Sequence, residues 1–174
     1  MKDAEIIEAL CAKLAAPGGR HLYGVLGTYP ALGAFAHKLR QVRAPDGNRF
    51  PRPLSVARGI LQAIPEDELL RLAADEAKRP EPVAAHVARA FERFLRSQLK
   101  GRNLLILGEF ELLFAYHVEL TVLRSMAADG DRVLLLLPGR RESGRVIMFP
   151  GLTEGAYTLP TNLIADDHLW ELKG

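Results

Sequence analysis

The pattern of apolar and polar positions along the chain predicts an α/β protein. Two short runs, Leu104–Leu107 and Val133–Leu137, contain no polar residue, and a helix-length segment separates them. Uninterrupted apolar runs of strand length are typical of parallel strands buried on both faces, and the segment between them is long enough for a right-handed helical crossover. We therefore expect a small, mostly parallel sheet whose inner strands are His21–Gly27, Asn103–Gly108 and Arg132–Pro138.

Apolar residues that recur every three to four positions predict helices that cover the faces of this sheet. The expected helices are Asp3–Ala16, Pro30–Val42, Val56–Ile64, Pro65–Arg79, Val83–Leu99 and Glu109–Ala128. Ser55 is a candidate N-cap for the third of them, after a short edge strand at Leu54 and Ser55. Pro80 and Pro82 are expected to separate the fourth helix from the fifth.

The chain is expected to end in a C-terminal β-hairpin and short edge elements. Arg145–Phe149 is predicted to run antiparallel to Arg132–Pro138 through a turn at Gly139–Gly144. A length of 174 residues without an internal repeat favours a single α/β domain, residues 1–174. The smaller elements predicted near the C-terminus are edge strands at Tyr157–Leu159 and Asn162–Ile164 and a helical turn at Asp166–Leu172.

Composition narrows the class of protein without naming a function. The chain is 48% hydrophobic and 25% charged, which is typical of a soluble globular protein, and its net charge of +2 is too small to indicate nucleic-acid binding by itself. Its one cysteine, Cys11, excludes an internal disulfide. The first residues are too acidic for a signal peptide and no apolar stretch approaches the ~20 residues that span a membrane. We therefore expect a cytoplasmic protein.

The segment Gly27–Gly33 runs from the end of a predicted strand into the start of a predicted helix, as a phosphate-binding loop does. A working loop needs a Lys for the β- and γ-phosphates and a Ser or Thr for magnesium. Here five residues rather than four separate the two glycines, and Ala34 and Phe35 occupy those positions. We expect a degenerate loop at Gly27 and Gly33, in a fold that resembles a degenerate P-loop-type fold, and no nucleotide cofactor.

The apolar strand Leu104–Leu107 also lacks a residue type that nucleotide hydrolysis requires. Gly108 stands where a magnesium-binding Asp would follow such a strand, so Glu109 alone remains at the position of a water-activating carboxylate. The simpler interpretation is that Glu109 is a first-turn helix residue stabilised by the helix dipole. A divergent P-loop NTPase that uses Glu109 stays open as the enzymatic alternative.

Other catalytic patterns are absent from the sequence. The five histidines are scattered, with no His-x-x-x-His or His-x-His pair, so no metal site is predicted. No serine lies in a Gly-x-Ser-x-Gly elbow. We therefore predict no catalytic residue and no metal, and we expect a protein that is not an enzyme.

Arginines and apolar residues suggest binding surfaces instead. Arg140 and Arg141, in the predicted hairpin turn, are candidate contacts to a protein partner. A nucleic-acid-binding accessory module is a further alternative, and its candidate residues are Arg89, Arg93, Arg96 and Arg145. Solvated surface charge is the simpler interpretation of both groups. The predicted helix after Glu109 is apolar on nearly all sides, which favours a protein partner and makes Phe110, Phe114 and Tyr116 candidate contacts.

Residues in the C-terminal part of the chain resemble the BrxB family of bacteriophage-exclusion (BREX) defence proteins. The shared order is a hydrophobic strand ending in Gly, a helix, a strand ending in Pro-Gly, a short polar turn, an apolar strand with Phe, and a closing Tyr segment. The most specific residues are Pro138 and Gly139 together with Gly144 and Phe149. The earlier part of the chain matches only in the order of its elements.

This resemblance implies a role in phage defence. A similar layout occurs in the BREX P-loop family BrxF, but the loop Lys and the strand-end Asp are missing here. The resemblance to BrxB implies a non-enzymatic component that binds the phosphatase-like BREX protein PglZ, within an assembly that includes a methyltransferase and an ATPase. We expect no cofactor and no membrane contact, and the complex offers a route to nucleic-acid contact.

Overall fold

The predicted α/β architecture is confirmed by the computed structural model, which describes residues 1–75, 80–127, 130–151 and 157–173. The strands are β1 (Leu22–Gly27), β2 (Leu54–Ser55), β3 (Leu104–Gly108), β4 (Arg132–Glu142), β5 (Arg145–Met148), β6 (Tyr157–Thr158) and β7 (Leu169–Glu171). The helices are α1 (Asp3–Ala15), α2 (Tyr29–Leu39), α3 (Val56–Ala63), α4 (Glu66–Asp75), α5 (Pro80–Leu99), α6 (Glu111–Ala115) and α7 (Thr121–Met126), and residues Asp166–His168 form a 3₁₀ turn.

The sheet is built around β4. Its strand order is β2-β3-β4-β1-β7, and these five strands run parallel to one another. Val133 of β4 is aligned with Leu22 of β1 on one side and with Leu105 of β3 on the other. The three inner strands are therefore the three predicted ones, and their continuous apolar runs reflect burial on both faces.

Helices pack against both faces of this sheet and divide the core in two. On one face, α1 and α2 contribute Ile6, Leu10 and Phe35, all fully buried. On the other face, α3, α5, α6 and α7 form a larger cluster that includes Ile60 and Phe91. Each fully buried side chain of this size contributes roughly 1.5–3 kcal/mol by leaving water, so the two layers hold the strands in register.

The prediction of one continuous helix over Glu109–Ala128 is wrong. The chain forms two short helices, α6 and α7, separated by a turn in which His117 has a left-handed φ of 52°. The N–H of His117 donates to the carbonyl of Phe114 at 3.1 Å and the N–H of Val118 to that of Leu113 at 2.8 Å, which is the Schellman pattern that ends helices. Bending the segment allows both Leu113 and Leu123 to be buried, and Ala128 lies outside the described residues.

The predicted hairpin is antiparallel, as expected, but its turn is shorter. β4 continues to Glu142, so Arg140 and Arg141 lie in a strand, and only Ser143 and Gly144 form the turn. β5 therefore pairs with residues 139–142 and not with the predicted partner 132–138. Gly139 allows this pairing to be close, because a Cβ there would lie 2.6 Å from the carbonyl oxygen of Ile147.

Two further predictions near the C-terminus are wrong. Residues 162–164 form a turn rather than a strand, and Asn162 adopts a left-handed φ of 65°. The predicted helical turn at residues 166–172 is a 3₁₀ turn followed by β7, which pairs in parallel with β1 through Leu169 and Gly24. Pairing with β1 buries Leu169 and Trp170, and this burial favours a strand over the predicted helical turn. The strand predicted at Tyr157 is confirmed as β6.

The boundary between α4 and α5 also differs from the prediction. Pro80 begins α5 instead of preceding it, because the first N–H groups of a helix have no intrahelical acceptor and proline is tolerated there. The end predicted for α4 at Arg79 lies outside the described residues. Among the described helices, none combines the length and the apolar character that a membrane crossing requires.

Candidate functional site

The carboxyl ends of the parallel strands meet at one edge of the sheet, which is where open α/β sheets bind ligands. β1 ends at this edge and is followed by Thr28 and Tyr29. β2 ends there at Ser55, and β3 is followed by Glu109 and, one residue into α6, Glu111. This edge is therefore the first candidate site, and it contains the positions that correspond to the predicted degenerate loop and strand-end carboxylate.

Tyr29 and Glu111 contact each other across this edge. The hydroxyl of Tyr29, in the first turn of α2, donates a hydrogen bond to Oε1 of Glu111, the first residue of α6. Partial burial raises the pKa of Tyr29, and the hydrogen bond to Glu111 and the charge of Glu109 raise it further. Tyr29 is therefore a neutral donor throughout the physiological range.

Ser55 and Glu109 form a second pair at the same edge. The Oγ of Ser55 accepts a hydrogen bond from the N–H of Arg58 at 3.1 Å, which confirms Ser55 as the N-cap of α3, and it donates to Oε2 of Glu109. Glu109 precedes α6 instead of lying in its first turn, so that interpretation of Glu109 is wrong. The left-handed backbone of Glu109, with a φ of 60°, costs roughly 1–2 kcal/mol. Two hydrogen bonds offset this cost, one from the hydroxyl of Ser55 to the Glu109 carboxylate and one from the N–H of Ala57 to the Glu109 carbonyl.

The structure contradicts the predicted loop between Gly27 and Gly33. A single residue, Thr28, connects β1 to α2, and its Oγ1 accepts from the N–H of Ala31 at 3.4 Å. Gly33 lies inside α2, where a Cβ would meet no atom within 4 Å. Gly27 is closely packed, since a Cβ there would lie 3.1 Å from Cδ1 of Leu172. No stretch of loop backbone remains here to surround a phosphate with N–H groups.

The aromatic candidates in residues 110–116 separate into one buried residue and two partly buried ones. Phe110 is fully buried, which leaves it no surface for a partner. Phe114 is partly buried and meets Phe149 edge-on, with ring centroids 5.2 Å apart, and Tyr157 at 6.0 Å. Tyr116 is also partly buried. Phe114 and Tyr116 therefore keep some surface for a partner.

A groove of about 290 Å³ lies between α5 and the turn that follows α6. Ala84 and Ala88, four residues apart on α5, form part of its lining, and Tyr116, Val118 and Val122 supply apolar walls. The spacing of the two alanines was the only signal of this groove in the sequence. That spacing could not be interpreted without the structure, which shows that the turn after α6 packs beside the two alanines. A groove of this kind accepts apolar side chains of another molecule.

The candidate arginines lie on separate surfaces. Arg140 is paired with Glu142 through two nitrogens, at 2.9 and 3.1 Å, and Arg141 donates to the carbonyl of Leu169 at 3.0 Å.

Arg141 and Arg145 line one cleft, and the α5 arginines are not part of its described lining. Arg89 and Arg93 are exposed on α5, where Arg96 is paired with Glu92 at 2.7 Å. The nucleic-acid candidates therefore do not form one cluster.

Two histidines that are far apart in the sequence meet at Tyr23. His21 is buried, and its Nδ1 lies 2.8 Å from the hydroxyl of Tyr23. The ring of Tyr23 packs on His168, with centroids 4.7 Å apart, and stacks on Trp170. Burial lowers the pKa of His21, so it is neutral at physiological pH and packs as part of the core. Within the described residues no group of three or more His, Cys, Asp or Glu side chains is placed to hold a metal ion.

Comparisons with protein-family models, with curated proteins and with solved structures found no match to this chain. A function for it must therefore be inferred from its own residues and their geometry.

Proposed function

We propose that the protein is a non-enzymatic, cytoplasmic adaptor of a BREX-type anti-phage defence system, which acts by binding a PglZ-like partner. The observation that supports the non-enzymatic part of this proposal is the pairing of polar side chains at the carboxyl edge of the sheet. There Tyr29 is bonded to Glu111, and Ser55 to Glu109. These side chains bind one another at the edge where an enzyme of this architecture would bind its substrate. The BREX role and the PglZ-like partner rest on the resemblance of the C-terminal part of the chain.

The chemistry of this edge opposes nucleotide binding. Two carboxylates, Glu109 and Glu111, lie where the phosphates of a nucleotide would approach, and like charges repel. The single-residue connection at Thr28 leaves no loop to wrap around them. Lys38, the nearest lysine along α2, is paired with Asp3 of α1. These contacts favour a protein that binds over one that hydrolyses a nucleotide.

The groove between α5 and the turn after α6 is the best candidate for the partner-binding surface. It combines small residues, Ala84 and Ala88, with the partly buried Tyr116 and Val118 beside them. Binding energy at protein interfaces concentrates where a large apolar side chain enters such a depression. Exposed Arg140 and Arg141 on the hairpin are a second candidate contact, suited to acidic groups of a partner.

The residues that carry the resemblance also shape one local structure. The N–H of Phe149, whose φ of 53° is left-handed, donates to the carbonyl of Pro138 at 2.7 Å, and Gly139 allows β5 to approach β4. The ring of Phe149 then reaches Phe114 of α6. Pro138, Gly139 and Phe149 therefore have a structural role, because they position the hairpin against the segment that contains the candidate partner contacts.

Co-purification tests the proposal directly. The tagged chain is isolated, with nuclease present, from cells that express the genes next to its own, and we expect a phosphatase-like protein at equal stoichiometry. Ala88→Arg, which fills the groove, is expected to weaken binding of that partner about tenfold or more, or roughly 1.4 kcal/mol. Gln62→Arg, an exposed position of α3, is the matched control and should retain the partner. Recovery of the chain alone would contradict the proposal.

The enzymatic alternative makes a different prediction. A divergent NTPase would be stabilised against thermal unfolding by magnesium and ATP, and Glu109→Gln would abolish that shift. An adaptor shows no shift in either form, because ligand stabilisation requires a site in the folded state.

A further inference from the structure

A cleft of about 590 Å³ lies beside the hairpin, and four arginines line it. They come from four different parts of the chain: Arg20 precedes β1, Arg124 lies in α7, Arg141 in β4 and Arg145 at the start of β5. The rest of the described lining comes from Gly144 and Val146 of the hairpin and from residues between Thr158 of β6 and Leu169 of β7. Because the four positions are scattered in the sequence, only the fold brings them together.

The positive charge of this cleft is largely unneutralised. Asp166 is the only acidic side chain of the described lining, and it lies 3.7 Å from Arg141 while almost fully exposed. Within the described part of the chain, Arg20, Arg124 and Arg145 make no ion pair or side-chain hydrogen bond. Guanidinium groups gathered in a concavity repel one another, and an anion that enters relieves this repulsion.

The cleft also contains the donors that phosphate groups need. The guanidinium of Arg141 is held in place, since it donates to the carbonyl of Leu169 at 3.0 Å. Thr158, Thr161 and Asn162 add hydroxyl and amide groups to the lining. Arginine forks match phosphate oxygens in pairs, and Thr and Asn side chains commonly complete phosphate contacts.

We propose that this arginine cleft binds phosphate groups, carried by a small phosphate compound or by the backbone of a nucleic acid. Its volume falls in the range of about 300–1,000 Å³ that is usual for ligand pockets. The described lining contains no aromatic ring on which a base would stack, so recognition is through phosphate. The cleft shares Arg141 with the second candidate partner contact, but its described lining has no residue in common with the carboxyl edge or with the groove on α5. The variants below leave Arg141 unchanged, so failure of this proposal is distinguishable from failure of the adaptor function.

Two probes distinguish the sources of phosphate. Binding of inorganic pyrophosphate is measured by calorimetry, and binding of a fluorescein-labelled oligothymidylate of about 12 nucleotides by anisotropy over a series of salt concentrations. We expect the chain to bind at least one of them. Pyrophosphate binding alone identifies a small phosphate compound as the source. Oligonucleotide binding whose affinity falls steeply with salt identifies a nucleic-acid backbone.

The decisive variant is Arg20→Glu/Arg145→Glu, at two exposed positions of the cleft. We expect this variant to lower the affinity for the probe about tenfold or more. For the oligonucleotide, the slope of log affinity against log salt concentration should fall by about one for each lost phosphate contact. Arg40→Glu/Arg52→Glu makes the same charge change at two exposed positions outside the cleft and should alter affinity less than about twofold. If the cleft variant fails to fold, as judged by circular dichroism, Arg145→Gln replaces it. Failure of both probes to bind, or equal losses in the two variants, would overturn the proposal.

Discussion

The hydroxyl of Tyr29 donates a hydrogen bond to the carboxylate of Glu111, and this bond links two helices on opposite faces of the sheet. Tyr29 begins α2, which follows β1, and Glu111 begins α6, which follows β3. β4 lies between those two strands, so the contact spans the carboxyl edge above it. One side-chain pair thereby joins the two layers at the edge where open α/β sheets bind ligands.

Replacing Tyr29 with Phe is expected to lower the free energy of unfolding by about 0.5 kcal/mol at neutral pH, since an exposed hydrogen bond is lost. The pKa of Tyr29 is raised in the folded state by burial and by Glu111, whereas the unfolded chain titrates near 10. The stability from this group is therefore complete below pH 10 and is lost as pH rises above it. Urea unfolding measured across this range should show a shallower alkaline loss in Tyr29→Phe than in the parent.

Glu111→Gln is the matched control for that measurement. It keeps the size of the side chain and removes the charge that favours the protonated tyrosine, so the alkaline loss should become shallower here too. Identical alkaline profiles in all three proteins would show that the contact does not persist in solution.

Replacing Ser55 with Ala is expected to lower the free energy of unfolding by about 1–2 kcal/mol. The change removes the N-cap of α3 and also the donor that holds Glu109. Ser97→Ala serves as the control, because its hydroxyl bonds back to the carbonyl of Phe94 within α5 and Ala is the better helix former. Urea unfolding should place Ser97→Ala within about 0.5 kcal/mol of the parent. Equal losses in the two variants would contradict a capping role for Ser55.

The inner strands were predictable because burial on both faces removes every polar residue from them. The strands β3 and β4 show this directly in Leu104–Leu107 and Val133–Leu137. The turn after α6 was not predictable, because a segment that is apolar on all sides has no period to reveal where it bends. His117 takes a left-handed conformation, and the hydrogen bonds that end α6 there have no signal in the sequence. Three-residue β7 is too short for any periodicity to distinguish it from a helical turn.

The sites were less predictable than the fold, since each depends on which chain segments meet. Glu109 was singled out from its place after an apolar strand, but neither its bond to Ser55 nor the pair formed by Tyr29 and Glu111 has a signal in the sequence. The arginine cleft likewise combines Arg141 and Arg145 of the hairpin with Arg20 and Arg124. Spacing along the chain separates these residues, and only the strand order places them together.

Two helical glycines should respond oppositely to replacement by alanine. Gly33→Ala is expected to raise the free energy of unfolding by about 0.5–1 kcal/mol, because the position is exposed in α2 and a Cβ meets nothing within 4 Å. Gly59→Ala is expected to lower it by about 2 kcal/mol, since a Cβ there overlaps the ring of Phe94 where α3 packs on α5. Thermal and urea unfolding measure both. A loss of stability in Gly33→Ala would revive the idea that this glycine belongs to a loop.

The two-residue turn of the hairpin makes the last prediction. Ser143 and Gly144 have φ values of 49° and 77°, as a type I′ turn requires, and Asn-Gly is the preferred pair for that turn. We expect Ser143→Asn to stabilise the protein by about 0.5 kcal/mol and Gly144→Ala to destabilise it by about 1 kcal/mol, because alanine is strained at positive φ. A change of 1 kcal/mol shifts the melting temperature of a protein of this size by roughly 2–4 °C, which calorimetry resolves. A melting temperature unchanged in Gly144→Ala would mean that the hairpin tip does not hold this turn, and the position of Arg145 beside the cleft would then lose its support.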